Sequence, residues 1–311
     1  KIDQSPPEVV YTIAKYSHLI ISNDTGPGHI AALSNTNILW LGLDNPISKS
    51  NLSQGKNSFS ILATNMNQIT VSKIIKYIKT SRLSCQWVLD THIHADHITA
   101  AYYLKFKLKC KVGIGSEVKK ILKYWVPIFN MHNEVSLNGA QFDQLFKNNE
   151  EIKIGDLKIK VLFTPGHTAA CVSYYVKNNI FVGDTLFMPE AGTARTDFPG
   201  GSASDLYDSI KRILSLPKNT KIYICHHYPE NIGEEQFLST VELQDKNNIL
   251  INNKISKDEF IKLRNERDNG KLPPKFLYPS IQTNIKSGEL YTMQNNEKSY
   301  IKIPVSFNRM K

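Results

Sequence analysis

The segment Thr91-His-Ile-His-Ala-Asp-His97 constrains this chain more than any other part of its sequence. Three of the nine histidines and one aspartate lie within residues 92–97, directly after the short apolar stretch 86–90. His92 and His94 are two residues apart, so in an extended segment their side chains leave the backbone on the same face. Imidazoles and a carboxylate placed this closely favour a divalent transition metal over a polar loop that is merely rich in histidine.

Three later motifs place further histidines and a carboxylate at the ends of predicted strands. Thr164-Pro-Gly-His167 follows one apolar stretch, Gly183-Asp184 follows another, and Cys225-His226-His227 follows a third. In α/β proteins, binding and catalytic sites gather where strands end. Any one of these motifs alone would more often be a cap, a turn or a buried structural histidine. Together with the first motif they predict one metal centre.

The composition restricts the class of protein. Of the 311 residues, 41% are hydrophobic and 21% are charged, which supports a folded core and excludes a disordered chain. The net charge of +10 is spread along the chain without a block of five or more Lys or Arg, so no nucleic-acid partner is expected. The longest apolar run, residues 38–43, is far shorter than a membrane span, and no membrane partner is expected. Four cysteines without CxxC spacing are typical of free thiols in a reducing compartment, which predicts a cytoplasmic protein.

The pattern of apolar residues divides the chain near residue 80. Residues 81–311 contain short strands interleaved with helices, including a hairpin over 151–163 and a helix over 203–214, and predict a layered α/β sandwich. Residues 1–80 show a β-turn-α-β pattern that is typical of a partial Rossmann-like segment. The sequence therefore predicts two parts of unequal length.

The motifs of the longer part resemble those of the metallo-β-lactamase superfamily. The order of THxHxDH, PGHT, GDT and a final histidine is the signature of that superfamily. The stretches 183–189 (GDTLFMP) and 192–201 (GTARTDFPGG) are similar to the persulfide dioxygenases, in the bacterial β-lactamase-like-hydrolase branch. The resemblance extends from about Leu83 to Ile303. It implies an αββα sandwich for residues 81–311.

The resemblance also implies a reaction and a set of site residues. In that family one Fe(II) ion is held by three residues, which correspond here to His92, His167 and Asp184. Two histidines and one carboxylate leave open positions on the metal for O2 and a sulfur substrate. The implied reaction converts glutathione persulfide, O2 and water to sulfite and glutathione. Arg195 and Tyr228 match substrate-side residues of the family, and an Arg fork suits the carboxylates of glutathione.

A second hypothesis within the same superfamily is a thioester hydrolase of the glyoxalase II type, with two metal ions, zinc in this case, that activate a bridging water. The residues available for a second metal or for supporting its ligands are His94, Asp96, His97 and His226. The ARTDFPGG stretch favours the dioxygenase. The chain departs from the dioxygenase pattern at His227, where the family usually has Asp. The sequence is compatible with a homodimer.

Residues 18–32 resemble the C-terminal half of family-9 glycosyltransferases of the heptosyltransferase type, and the resemblance covers about residues 1–78. In that family a DTG…H motif at a helix start helps to bind a nucleotide sugar. The residues that match this vestigial motif are Asp24, Thr25, Gly26 and His29. Transferase activity from residues 1–80 alone is not expected, since such an enzyme needs two Rossmann-like domains. The segment replaces the usual N-terminal strands of the sandwich, and an inactive fusion remnant is therefore the third hypothesis.

Overall fold

The computed structural model describes residues 71–227, 236–290 and 300–305 in full, together with the backbone of three strands nearer the N-terminus. In chain order, the strands are β1 (Leu19–Ser22), β2 (Ile38–Leu43), β3 (Ser58–Ala63), β4 (Cys85–Leu89), β5 (Lys111–Gly115), β6 (Gln144–Phe146), β7 (Glu151–Ile154), β8 (Leu157–Phe163), β9 (Val172–Val176), β10 (Asn179–Phe181), β11 (Lys221–Tyr223) and β12 (Leu238–Thr240). The helices are α1 (Val71–Thr80), α2 (Ala101–Leu108), α3 (Val118–Ile128), α4 (Ala203–Leu214), α5 (Val241–Asn247), α6 (Lys257–Asp268) and α7 (Leu277–Asn284).

The described strands form two large sheets. The first sheet has the order β1-β4-β5-β6, and all of its neighbouring strands are parallel. The second sheet has the order β12-β11-β10-β9-β8-β7 and is antiparallel except between β10 and β11. Strands β2 and β3 pair with each other in parallel. Strands β8, β10 and β11 therefore point the same way, and their carboxyl ends lie at one edge of the second sheet.

The apolar core lies in three layers between these elements. One cluster, which includes Val112 and Leu122, packs the first sheet against α1, α2, α3 and α7. Another, which includes Ile222, packs the second sheet against α4, α5 and α6. The third joins the two sheets face to face, with Leu89 of β4 and Val161 of β8 both buried in it. The order helix, sheet, sheet, helix is the αββα sandwich, and the predicted fold class is confirmed.

Local sequence explains the helix that supports the metal-centre loops. Helix α4 begins where the side chain of Ser202 accepts a hydrogen bond of 3.1 Å from the backbone N–H of Asp205, as an N-cap residue does. Leu206, Ile210 and Ile213 recur at helical spacing and are fully buried. The helix predicted over 203–214 and the hairpin predicted around Gly155 both form with those bounds.

The first sheet does not end at β4. Strand β1 runs parallel to it, with Ile21 opposite Val88 and Ser22 opposite Leu89. The segment before residue 80 therefore gives β4 a neighbour that satisfies its backbone, which a bare edge would lack. The rest of the predicted Rossmann-like segment lies largely outside the described residues. Within the described part, every helix is too short or too polar to cross a lipid bilayer.

Candidate metal centre

The site forms where four strands end at one edge of the sandwich. The loop 90–97 follows β4, and the loops that carry His167, Asp184 and His226 follow β8, β10 and β11. The two sheets are joined at this point, because the backbone N–H of Val172 in β9 donates a 2.9 Å hydrogen bond to the carbonyl oxygen of Thr91. The topology therefore brings four separate sequence motifs to one place.

Two imidazoles and one carboxylate form the first group of potential ligands. Nε2 of His92 and Nε2 of His167 lie 3.9 and 3.6 Å from Oδ2 of Asp184, and all three residues are buried. One potential ligand atom from each residue lies within 4.8 Å of those from the other two. The structure thus brings together the three residues that the sequence predicted as iron ligands.

The chemistry of this group fits a metal ion. Nε2 of His92 is buried and has no hydrogen-bond partner among the residues that the structure describes, which is rare for a buried polar atom. Burial and the neighbouring His94 hold the pKa of His92 well below its usual value, so its ring is neutral. Burial alone would raise the pKa of Asp184, but the imidazoles around it hold that pKa far below the usual value. Neutral imidazoles and an ionised carboxylate are the forms that bind a divalent metal.

A backbone carbonyl fixes the tautomer of His167. Nδ1 of His167 lies 2.8 Å from the carbonyl oxygen of Arg195. Because a carbonyl oxygen only accepts hydrogen bonds, Nδ1 carries the proton and Nε2 of the neutral ring keeps its lone pair for a metal. Nδ1 of His92 instead contacts the hydroxyl of Thr91 at 3.0 Å, and a hydroxyl can act as donor or acceptor.

A second group lies on the other side of Asp184. Its members are Asp184, Cys225 and His226, with Nε2 of His226 at 3.4 Å from Oδ1 of Asp184. Nε2 of His226 also lies 3.7 Å from Oδ2 of Asp96, whose Oδ1 contacts Nδ1 of His97 at 3.0 Å. This arrangement contains three of the four residues predicted for a second metal or its support.

Of the four residues predicted for a second metal, only His226 belongs to a group of three among the described residues, and His94 does not contact that group through any of the distances given above. Nε2 of His94 lies 3.8 Å from Oδ1 of Asp90, and the centroid of its ring lies 4.2 Å from the centroid of the His92 ring. Asp90 also accepts a hydrogen bond of 3.2 Å from the hydroxyl of Thr99. His94 therefore lies beside His92, as the spacing predicts, and also approaches Asp90 and the ring of His97.

Gly183 allows the strand end that carries Asp184 to approach the histidine loop. Its φ is +52°, a left-handed conformation that side chains rarely adopt. A Cβ atom at this position would lie 2.6 Å from Oγ1 of Thr91 and 2.8 Å from its Cβ. The glycine of the GDT motif is therefore required both by its backbone and by its neighbour.

Of the two residues predicted to bind substrate, the structure describes Arg195 but not Tyr228. The guanidinium of Arg195 donates to both carboxylate oxygens of Asp197 at 2.5 Å and to the carbonyl oxygen of Leu272 at 2.9 Å. The Arg195 side chain is therefore held by other residues of the same protein, and 19% of it is exposed. Tyr228 lies outside the described residues. So does the predicted nucleotide-sugar motif, namely Asp24, Thr25, Gly26 and His29.

His227, which replaces the family's usual Asp, points to a surface carboxylate. Its Nδ1 accepts a 2.9 Å hydrogen bond from the backbone N–H of Gln236, so Nε2 of the neutral ring carries the proton and contacts Oε1 of Glu190 at 2.7 Å. This side chain connects two parts of the chain that flank residues 228–235. Both of these contacts lie away from the first group of ligands.

Two residues that support the site were not predicted from the sequence. Asn284, at the end of α7, donates to the carbonyl oxygens of His94 and His97 at 2.9 and 2.7 Å and accepts from the N–H of Thr99 at 2.9 Å. The thiol of Cys225 contacts Oδ1 of Asp184 at 2.9 Å. Cys225 had one signal, its place directly before His226, whereas Asn284 lies in a tail segment that carries no metal-binding pattern.

Comparison with known proteins agrees with the fold and with the ligand motifs. Residues 61–226 match the family described as the metallo-beta-lactamase superfamily, which is more than half of the chain. This chain belongs to the metallo-β-lactamase superfamily. The THxHxDH segment, residues 91–97, lies inside the matched range.

Three relatives show how far the similarity extends. "Glyoxylase B2" of Dictyostelium discoideum is 48% identical over 237 residues, covering 76% of this chain and 81% of the relative. The mitochondrial persulfide dioxygenase ETHE1 of Mus musculus is 30% identical over 223 residues, covering 70% and 76%. The crystal structure of ETHE1 from Myxococcus xanthus superposes with a TM-score of 0.57 at 28% identity, covering 70% of this chain and 84% of the other. One of these relatives is named as a glyoxylase and another as a persulfide dioxygenase, so the names do not decide between the two activities that the sequence left open.

Proposed function

We propose that this protein is an iron-dependent persulfide dioxygenase that oxidises glutathione persulfide to sulfite. The observation that carries the proposal is the buried group of His92, His167 and Asp184. Two histidines and one carboxylate on one side of a metal are the arrangement of non-haem Fe(II) oxygenases, which keep open positions for O2 and substrate. The likeness to a persulfide dioxygenase over 70% of the chain supports the same assignment.

In the proposed reaction, glutathione persulfide, O2 and water give glutathione and sulfurous acid, which ionises to sulfite. The sulfane sulfur is oxidised, O2 is reduced, and the thiol of glutathione leaves. A bound Fe(II) ion would supply the redox chemistry, which zinc does not offer. The residues His92, His167 and Asp184 would hold that ion, and burial would exclude bulk water from them.

The substrate residues of this proposal are Arg195 and Tyr228. Within the described part of the chain, Arg195 makes four hydrogen bonds, to Asp197, Leu272 and Lys271, out of the five N–H donors of a guanidinium. The remaining donor and the positive charge suit a carboxylate of glutathione. The chain therefore uses Arg195 to tie its own segments together as well as to meet an anionic substrate.

The test is oxygen uptake by protein loaded with Fe(II) and supplied with glutathione persulfide. We expect one sulfite for each O2 consumed, and no uptake with the zinc-loaded or metal-free protein. The variant His167→Ala should lose uptake and bound iron together, whereas His132→Ala, at an exposed position, should retain both. Uptake no greater than in the metal-free protein would reject the dioxygenase.

A glyoxalase-II-type thioester hydrolase is the second candidate. The second group around Asp184, with Cys225, His226 and nearby Asp96, favours it because a binuclear hydrolase needs ligands on both sides of a shared carboxylate. The 48% identity to a protein named "Glyoxylase B2" also supports it. Hydrolysis of S-D-lactoylglutathione by protein carrying two metal ions per chain would favour this candidate. One iron per chain and no hydrolysis would reject it.

A further inference from the structure

We propose that Arg264 and Asp268, a buried ion pair on α6, are positioning residues that hold the imidazole of His167 in its metal-binding orientation through the loop 193–197. The inference rests on the metal site proposed above. It concerns the binding of the metal rather than the identity of the substrate. It therefore applies to either of the two candidate activities.

The ion pair is fully enclosed. Arg264 is 2% exposed and Asp268 6% exposed, and they are one helical turn apart. Nε of Arg264 donates to Oδ2 of Asp268 at 3.0 Å, and Nη2 donates to Oδ1 at 2.6 Å. This two-pronged geometry fixes the plane of both groups. Since burying two charges costs about as much as their attraction returns, the pair is not explained by a gain in stability alone.

The other hydrogen bonds that these two side chains make within the described residues go to the backbone and hydroxyl groups of Thr193 and Thr196, on either side of Arg195. Oδ2 of Asp268 accepts from the N–H of Thr196 at 2.8 Å and from its hydroxyl at 3.2 Å. Nη1 of Arg264 donates to the carbonyl oxygen of Thr193 at 3.0 Å. The peptide group that joins Thr193 to Ala194 and the one that joins Arg195 to Thr196 are thereby tied to helix α6.

The carbonyl group between these two attachment points is the one that meets the metal ligand. The carbonyl oxygen of Arg195 accepts from Nδ1 of His167 at 2.8 Å, and Nε2 of the same ring faces Oδ2 of Asp184 at 3.6 Å. A displaced carbonyl would release the ring to rotate or to move its proton to Nε2, where it would block the lone pair that a metal needs. Through these hydrogen bonds, Arg264 and Asp268 determine which ring nitrogen of His167 carries the proton.

Mutation of a residue that orients a metal-binding histidine typically lowers metal affinity by about 10- to 100-fold. We therefore expect loss of the ion pair to weaken metal binding by about that factor. Removing Asp268 alone would leave the charge of Arg264 buried and unpaired, and such a variant is at risk of not folding. The double variant Arg264→Met, Asp268→Leu replaces the pair with apolar side chains of similar size and avoids this problem.

The experiment is a titration of the full-length metal-free protein with Zn²⁺ and with Fe²⁺ under anaerobic conditions, which needs no turnover. Thr220→Val is the matched control, because it removes a buried hydrogen bond of 2.9 Å to Asn178 at the far end of β11. We expect the double variant to bind both ions about 10- to 100-fold more weakly and the control to bind them as the wild type does. Wild-type affinity in the folded double variant would overturn the proposal.

A second measurement separates positioning from general loss of stability. In protein labelled with ¹⁵N-histidine, long-range ¹H–¹⁵N correlation reports which ring nitrogen of His167 is protonated. We expect the proton on Nδ1 in the wild type and the control, and a mixture of tautomers in the double variant. An unchanged tautomer would contradict the proposed path, even if the affinity fell.

If the double variant does not fold, Arg264→Lys takes its place. The lysine keeps the buried positive charge beside Asp268 but loses the fork and the bond to the carbonyl oxygen of Thr193. It should weaken metal binding by a smaller factor than the double variant is expected to, and unchanged affinity would overturn the proposal. Failure of persulfide oxidation would leave all these binding results standing, so the two proposals fail separately.

Discussion

The thiol of Cys225 lies 2.9 Å from Oδ1 of Asp184, and Cys225 is fully buried directly before His226. Since an ionised carboxylate only accepts, the S–H group donates to this oxygen. The other oxygen, Oδ2, is the one that faces Nε2 of His92 and of His167. The thiol therefore orients the carboxylate that connects the two groups of potential ligands.

This relationship predicts different outcomes for two substitutions of Cys225. Serine retains a donor and should keep metal affinity near that of the wild type. Alanine removes the donor and should lower the affinity of the metal-free protein for Fe²⁺ or Zn²⁺ by roughly 10-fold, the lower end of the usual effect of such partners. Titration followed by metal analysis measures both. Equal affinities for the serine and alanine variants would show that the S–H donor has no such role.

Gly183→Ala should destabilise the protein and reduce metal binding, because the new Cβ would collide with Thr91 next to the metal ligands. The matched control is Gly270→Ala, which also has a positive φ but meets nothing within 4 Å. The control should cost about 1 kcal/mol in the free energy of unfolding, and Gly183→Ala about 2 to 4 kcal/mol. Urea unfolding gives both values. Similar losses for the two variants would mean that the approach to Thr91 is not tight.

Asn284→Ala should loosen the histidine loop. It removes two hydrogen bonds to the carbonyl oxygens of His94 and His97 and leaves the buried N–H of Thr99 without its amide acceptor. We expect a loss of about 2 to 3 kcal/mol in the free energy of unfolding. Asn178→Ala, which loses hydrogen bonds at the far end of β11, is the control for a site away from the metal centre. An effect of Asn284→Ala no larger than that of the control would contradict the prediction.

The stability of the metal-free protein should fall on acidification below about pH 6.5. Burial lowers the pKa of His92 and His94 in the folded state from the usual value of 6.5. Below that value the unfolded chain binds protons that the folded state does not, so the free energy of unfolding decreases as the pH falls. With two such groups, the slope should approach about 2.7 kcal/mol per pH unit.

The measurement is urea unfolding of the metal-free protein between pH 7.5 and pH 5. The double variant His92→Gln, His94→Gln is the control and should show a smaller slope, since it lacks the two buried groups. A wild-type slope equal to that of the control would contradict the assignment. Asp184 adds a loss in the same direction at more acidic pH, because the pKa of its carboxyl is lowered in the folded state.

Much of the fold followed from local sequence. The hairpin at 151–163 and helix α4 formed with the predicted bounds because turn residues and apolar spacing act over a few residues. The apolar spacing of residues 98–108 is typical of a helix that starts at Ile98, but α2 begins at Ala101. Thr99 binds Asn284 and Asp90 there, and these partners hold the preceding residues in the loop. Tertiary contacts therefore shortened the helix.

The sequence by itself determined which side chains could hold a metal and that they follow strands, since ligand types and strand ends are local properties. Only the tertiary structure decided how they group. It placed His92 with His167 and Asp184, turned His94 toward Asp90, and supplied Asn284 from 190 residues beyond His94. The direction of a loop side chain depends on backbone hydrogen bonds from distant segments. The spacing of residues along the chain does not predict those hydrogen bonds.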